Sequence, residues 1–231
     1  EAADFYKKVF GWTSTQVGTD DQQYWIFKSN GKPVGGMFLM ANPKNNAGGE
    51  WIPYYSVNSV DDIANKCKSS GGKIAISPKV MEGRGKAALL SDPQDALFAV
   101  IKSDNGDPDR SVILDNDFLW SELWSNDMTK STEFYKNLFN AQIDSRKDDE
   151  RTYTIILNNN KPSSGIIQNP AEKIKEYWVQ YVKVSDVAAI EQKAKDAGAK
   201  ILIASDSTIR NGTVSIFLDP TGAPIAIQKW D

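Results

Sequence analysis

The chain has 231 residues, 40% hydrophobic and 25% charged, an ordinary globular balance with length enough for two domains. A net charge of −3 with no basic stripe argues against nucleic acid, and no apolar run approaches the roughly 20 residues that span a bilayer. The single cysteine, Cys67, excludes an internal disulfide and leaves a cytoplasmic location as the expectation; the complete absence of histidine removes the usual general base and the commonest transition-metal ligand.

The first predicted element is an amphipathic helix, ADFYKKVFGW (3–12), with no strand before it. Trp51 then heads a strand–helix–strand unit, WIPYYSVNSVDDIANKCKSSGGKIAI, and the ending SDPQDALFAVIK follows. The Asp, Asn, Gly and Pro cluster of SDNGDPDRSVILDN reads as a linker, although its Val112-Ile113-Leu114 run is apolar enough to pack on a domain. FLWSELW (118–124) alternates as a strand, and Asn126 and Asp127 can cap the helix after it. On that helix Phe134 and Leu138, with Tyr135 and Phe139, form a buried stripe at four-residue spacing. QIDSRK, TYTIILN and SSGIIQN read as three strands between turns. A second strand–helix–strand unit, WVQYVKVSDVAAIEQKAKDAGAKILI (178–203), places Val187, Ile190, Ala194 and Ala197 on one helix face, with Gly198 suited to a left-handed cap. KILIAS, TVSIFLD and PIAIQKW are the closing strands.

These elements occur twice. Trp51 maps onto Trp178 and Gly71 onto Gly198 at an offset of 127, ADFYKKVFGW returns as TEFYKNLFNA at 129, and SDPQDALFAVIK returns as LDPTGAPIAIQK at 127. The chain is therefore a duplication, with one domain over residues 1–103, a linker over 104–117 and a second domain over 118–231. Each domain is two β-α-β-β-β modules, an α+β architecture with mixed sheet, except that the first strand of domain 1 is missing. A sheet without a central strand leaves backbone groups unpaired, so either residues precede Glu1 in the natural chain or the Val112 run fills the vacancy; the former is the expectation.

Paired β-α-β-β-β modules, the FYKKVFGW and FYKNLFN helices, the Trp-headed strands and the DPxG-like closing turns resemble the vicinal oxygen chelate superfamily of glyoxalase I, extradiol dioxygenases and fosfomycin- and bleomycin-resistance proteins. The tandem layout is similar to two-domain glyoxalase-like proteins. The resemblance implies that each domain curls into a cup, with metal ligands in its metal-binding members at set strand positions. Those positions carry Trp120 in the opening strand of domain 2, Trp51 and Trp178 in the opening strands of the second modules, and Ala99 and Ala226 after the closing turns. Indole N–H only donates and Ala offers nothing, so no metal, no cofactor and neither glyoxalase I nor extradiol dioxygenase activity is expected.

Strand alternation turns Trp120, Glu122 and Trp124 towards the domain 2 cup, with Leu119 and Leu123 under the helices. The same alternation assigns Trp178, Gln180, Ala226 and Gln228 to that cup, and Trp51, Pro53, Tyr55, Ala99 and Ile101 to the cup of domain 1. Such aromatics suit a small-molecule pocket and equally a cup filled by its own side chains. Glu122, desolvated between two indoles, is the candidate general acid or base, against a carboxylate paired with Lys or Arg. Arg84 and Arg210 lie in Gly-containing turns at the rim, where they could meet an anion or simply be solvated. Cys67 reads as a core residue, and Gly35-Gly36 as a close strand approach or bulge; neither that pair nor Gly48-Gly49 forms a phosphate loop.

The leading expectation is a metal-free protein that binds a small, partly aromatic molecule at Trp51, Tyr55, Trp120, Trp124, Trp178, Gln180 and Gln228. The alternative is a metal-free lyase or isomerase using Glu122, and a third reading is an interaction protein with closed cups. A monomer with intrachain domain pairing, or a homodimer, is expected.

Overall fold

The computed structural model describes residues 1–17, 24–39, 48–109, 111–148, 151–170 and 175–230. Helix α1 (Ala2–Phe10) leads into strands β1 (Thr13–Val17), β2 (Tyr24–Ser29) and β3 (Lys32–Phe38). Strand β4 (Tyr54–Ser56) and helix α2 (Val60–Ser69) precede β5 (Lys73–Met81), β6 (Gly85–Ser91) and β7 (Leu97–Ser103). Next come β8 (Phe118–Ser125), α3 (Met128–Phe139), β9 (Gln142–Asp148), β10 (Arg151–Asn158) and β11 (Lys161–Gln168). The last set is β12 (Tyr177–Lys183), α4 (Val187–Asp196), β13 (Lys200–Ile203), β14 (Val214–Leu218) and β15 (Pro224–Gln228). The Val112–Leu114 run forms no strand, and Val112 is 70% exposed.

The helices end where local chemistry stops them. Gly11 closes α1 in the left-handed region (φ 70°), and Asn140 does the same for α3 (φ 50°). Asp127, the second of the two cap candidates, takes the Lys130 amide at the head of α3, and Asp186 takes the Ala189 amide at the head of α4. Glu191 was not foreseen on the buried face of α4. Burial opposes its ionisation, but Lys195 at 2.6 Å and the Ser205 amide at 2.6 Å overcome this and hold the carboxyl at about 2.

Each complete module has one pairing rule. The opening strand runs parallel to the last, β4 beside β7, β8 beside β11 and β12 beside β15, while the other neighbours are antiparallel. A helical crossover is what lets sequential strands pair in parallel. The first module has only the antiparallel β1-β2-β3 meander.

The chain folds into two compact units, and each draws on both sequence copies. One comprises Glu1–Trp51, Ser111–Leu119 and Gln180–Asp231; the other comprises Ile52–Arg110 and Trp120–Val179. The core of the first gathers Phe5, Tyr6, Phe10 and Trp12 of the first helix region with Val187 and Ala194 of α4 and Ile225 and Ile227 of β15. The core of the second gathers Ala64 and Cys67 of α2, Phe134, Tyr135 and Leu138 of α3, and Phe98, Val100, Leu123 and Trp178 from the strands. No helix among the described residues is long and apolar enough to cross a membrane.

Candidate functional site

Strand β8 divides its side chains as alternation requires. Leu123, fully buried, enters the helix-side core, so Trp120, Glu122 and Trp124 lie on the helix-free face. The Trp120 indole donates to the Tyr153 hydroxyl at 2.8 Å, and the Trp124 indole donates to Glu122 Oε1 at 3.2 Å. The Tyr177 ring sits 5.4 Å from that of Trp124, tilted by 42°. Glu122 and Trp124 are only 1% and 2% exposed, whereas Trp120 is half-buried and marks the accessible end.

Tyr153 and Gly165 belong to this face and were missed in the sequence. Gly165 is the parallel neighbour of Glu122, and a Cβ there would collide with the Tyr153 hydroxyl and come within 3.0 Å of Trp120 Nε1. A side chain at 165 would push Tyr153 off the strand. The only signal available was an isolated Gly inside a β-pattern, which often marks close approach. The same arrangement occurs in the other unit, where Tyr24 lies over Gly36.

Three of the expected binding residues face the other way. Trp178 is fully buried in the helix-side core, with its ring against Tyr55 and Tyr135. Gln180 follows that phase, since it pairs with Ile225, a core residue, while Tyr181 pairs with Ala226. The helix-free face of β12 thus presents Tyr177, Val179 and Tyr181. Tyr55 also packs under the helices against Phe98 and Phe139 and donates to Ser164 Oγ at 3.2 Å; burial pushes its hydroxyl well above the ordinary tyrosine range. The physical reason is common to the two β12 residues. YWVQYVK carries large side chains in both phases, so period-two alternation defines two faces without saying which meets the helices.

Trp51 is half-buried inside the aromatic cluster of its own unit, with Tyr6, Trp12, Phe27 and Phe118 at ring distances of 5.2–6.2 Å. Gln228 and Ala226 do lie opposite the core residues Ile225 and Ile227. Arg210 sits with its guanidinium 5.9 Å from the Tyr181 ring centre. Cys67 is fully buried, and burial with the Asp92 charge nearby pushes its thiol up to about 11.

The Trp-headed strands, the FY helices and the DP turns turn out to be one device. In one unit the Trp51 indole donates to the Tyr6 hydroxyl at 2.6 Å, which donates to Asp219 at 2.7 Å. In the other, Trp178 donates to Tyr135 at 3.3 Å and Tyr135 to Asp92 at 3.0 Å. Each Asp also caps its own turn, Asp92 through the Gln94 and Ala96 amides and Asp219 through those of Thr221 and Ala223. Burial, followed by the Asp charge, raises both tyrosine hydroxyls well above their ordinary value. Trp and Tyr come from one sequence copy and Asp from the other, so these motifs stitch the copies together.

The positions at which the resemblance would put metal ligands do not, taken one by one, fit a metal ion. The one polar atom of Trp120 is a donor engaged by Tyr153, Ala99 and Ala226 have no donor atom, and Trp178 lies behind the sheet. Among the described residues no group of three or more Cys, Asp or Glu side chains could hold an ion.

A family model described as the Glyoxalase/Bleomycin resistance protein/Dioxygenase superfamily matches residues 1–100 and 118–227. The chain belongs to this superfamily. Among curated proteins, it is 24% identical to "Anthracycline biosynthesis protein DauV" of Streptomyces sp. (strain C5), over 99% of this chain and 88% of that protein. It is 22% identical to "Putative glyoxylase CFP32" of Mycobacterium tuberculosis (strain CDC 1551 / Oshkosh), over 99% and 89%. Among solved structures, the Mn(II)-bound glyoxalase from Novosphingobium aromaticivorans superimposes with a TM-score of 0.60 at 17% identity, over 98% of this chain and 76% of that one. An extradiol ring-cleaving dioxygenase from B. fuscum does so at 0.63 and 12% identity, over 100% and 68%. At such identities the superpositions speak for the superfamily fold.

Proposed function

We propose that this superfamily member binds a small, at least partly aromatic molecule on the helix-free face of β8, without a metal ion. The observation that carries this reading is the row Trp120, Glu122, Trp124, joined by Tyr153 and Tyr177, with an indole at position 120, where the resemblance would put a metal ligand. Stacked or edge-on ring contacts contribute about 0.5–1.5 kcal/mol each beyond area burial, so two or three suffice to select an aromatic ligand. Glu122, held by the Trp124 indole N–H in a buried setting, fixes that ring beneath the accessible end at Trp120. Similarity to a protein named for anthracycline biosynthesis makes fused-ring aromatics the first probes.

Tryptophan fluorescence titrations with a panel of fused-ring aromatics, in excess chelator, test the reading. Saturable quenching is expected for the wild-type chain, weakened roughly tenfold in Trp120→Leu by loss of about 1.4 kcal/mol. Equal affinity in Trp120→Leu and Trp124→Leu would place binding elsewhere. The burial of Glu122 also favours a second reading, in which it works as a general acid or base. Chemical turnover of a bound probe that vanishes in Glu122→Gln, with binding retained, would establish that one.

A further inference from the structure

Glu176 is used by neither reading. It stands immediately before β12, is 1% exposed, and directs Oε1 at the turn between β8 and α3. Oε1 accepts from Ser125 Oγ at 3.0 Å, from the Asn126 amide and from the Asp127 amide at 3.4 Å. Oε2 is buried and has no hydrogen-bond partner among the described residues. A polar chain continues from Ser125 to Ser131 at 2.9 Å, and from Ser131 to the Gln94 side chain at 2.7 Å. The Gln94 backbone amide is bound by Asp92, which also takes the Tyr135 hydroxyl.

Among the described residues the charge that bears on Glu176 is that of Asp92, and Lys175 precedes it in the chain. The turn before β7 contributes Asp92, and the head of α3 contributes Asp127, whose carboxylate is turned to the Lys130 amide. Tyr135 on α3 and Cys67 on α2 border Asp92, and both are kept protonated by burial. An ionised Glu176 is therefore a buried charge with one bare oxygen and a second carboxylate nearby, an arrangement that favours its neutral form.

The position matters because of what it clamps. Ser125 directly follows Trp124, and Glu176 directly precedes Tyr177, the two rings in contact on the helix-free face. We propose that Glu176 is a proton-operated latch on the aromatic face. In its neutral form it lies dry between the 125–127 turn and the start of β12; loss of the proton strengthens the bonds to Oε1 but charges a buried carboxylate whose Oε2 only water can solvate, and entry of that water opens the closure and the Trp124–Tyr177 pair with it. Burial first, with the Asp92 charge added, pushes the carboxyl from 4.5 up to about 7, against the pull of the Asn126 amide, the Ser125 hydroxyl and the Asp127 amide. The folded value lies above the unfolded one, so the stabilisation is complete below about pH 4.5 and is lost as pH rises towards 7. The latch does not depend on the binding reading.

Intrinsic fluorescence followed from pH 5.5 to 8.5 at about unit steps tests it. A step in emission with a midpoint near 7 is expected in the wild type and in the Glu133→Gln control, and is expected to be absent from Glu176→Gln and from Trp124→Phe. A step unchanged in Glu176→Gln overturns the proposal; so does one that survives Trp124→Phe, since the titrating group would then not reach the face. Carboxyl carbon NMR of the glutamate-labelled wild type needs no variant: one side chain titrating near 7 is expected, and the absence of any glutamate titrating near 7 would refute the latch.

Discussion

Trp120 and Trp178 both stand in the opening strand of a module, yet their indoles go to opposite faces. Trp120 lies on the helix-free face, half-buried, and gives its N–H to Tyr153. Trp178 is wholly enclosed among helix-side rings and gives its N–H to Tyr135, which passes the interaction to Asp92. The same residue type thus lines the helix-free face in one strand and builds the core in another. Burial and hydrogen-bond destination decide which, and the residue type alone does not.

The comparison can be broken most severely at Trp178. Trp178→Ala is expected to destabilise the chain by about 3–5 kcal/mol, as for a large core side chain, measured by urea unfolding. A loss as small as that for an exposed residue would mean that Trp178 is not in the core. Tyr135→Phe leaves the Trp178 N–H and one Asp92 oxygen without their partner and should cost about 2 kcal/mol. Tyr6→Phe should cost a similar amount, because Asp219 retains its turn amides as Asp92 does. Gly165→Ala should cost about 1–2 kcal/mol by crowding Tyr153, and it should disturb ligand binding as well, because Tyr153 supports Trp120. Smallest in stability is Trp120→Phe, expected within about 1 kcal/mol of wild type but weaker in ligand affinity, the reverse of the Trp178 pattern.

Local chemistry carried much of the fold. The cap at Asp127, the amphipathic stripe of α3 and the repeat of the helix, strand and turn motifs were visible in the sequence, as was the face of β8 that holds Trp120, Glu122 and Trp124. What failed was phase. Trp178 and Gln180 sit on the helix side because β12 has bulk at both phases, and Tyr55 packs there with Phe98 and Phe139. The bonds from Tyr6 to Asp219 and from Tyr135 to Asp92 span 213 and 43 residues, a range at which no local pattern speaks. Glu176 was unreadable for a related reason. Its copy-1 counterpart is Gly49, so the repeat offered no second instance, and its environment comes from Ser125, Asn126 and Asp127 in the turn after β8. Tyr153 acquired its role only once Gly165 let it lie across the strand.

Metal analysis tests most directly whether the positions at which the resemblance would put ligands are without a metal ion in this chain. The purified chain, loaded with manganese, iron or zinc and then dialysed without chelator, would be assayed for retained ion. Only traces are expected, because Trp120, Ala99 and Ala226 supply no lone pair to a cation and Trp178 lies behind the sheet. A tightly held, stoichiometric ion that is lost in Glu122→Gln would contradict it.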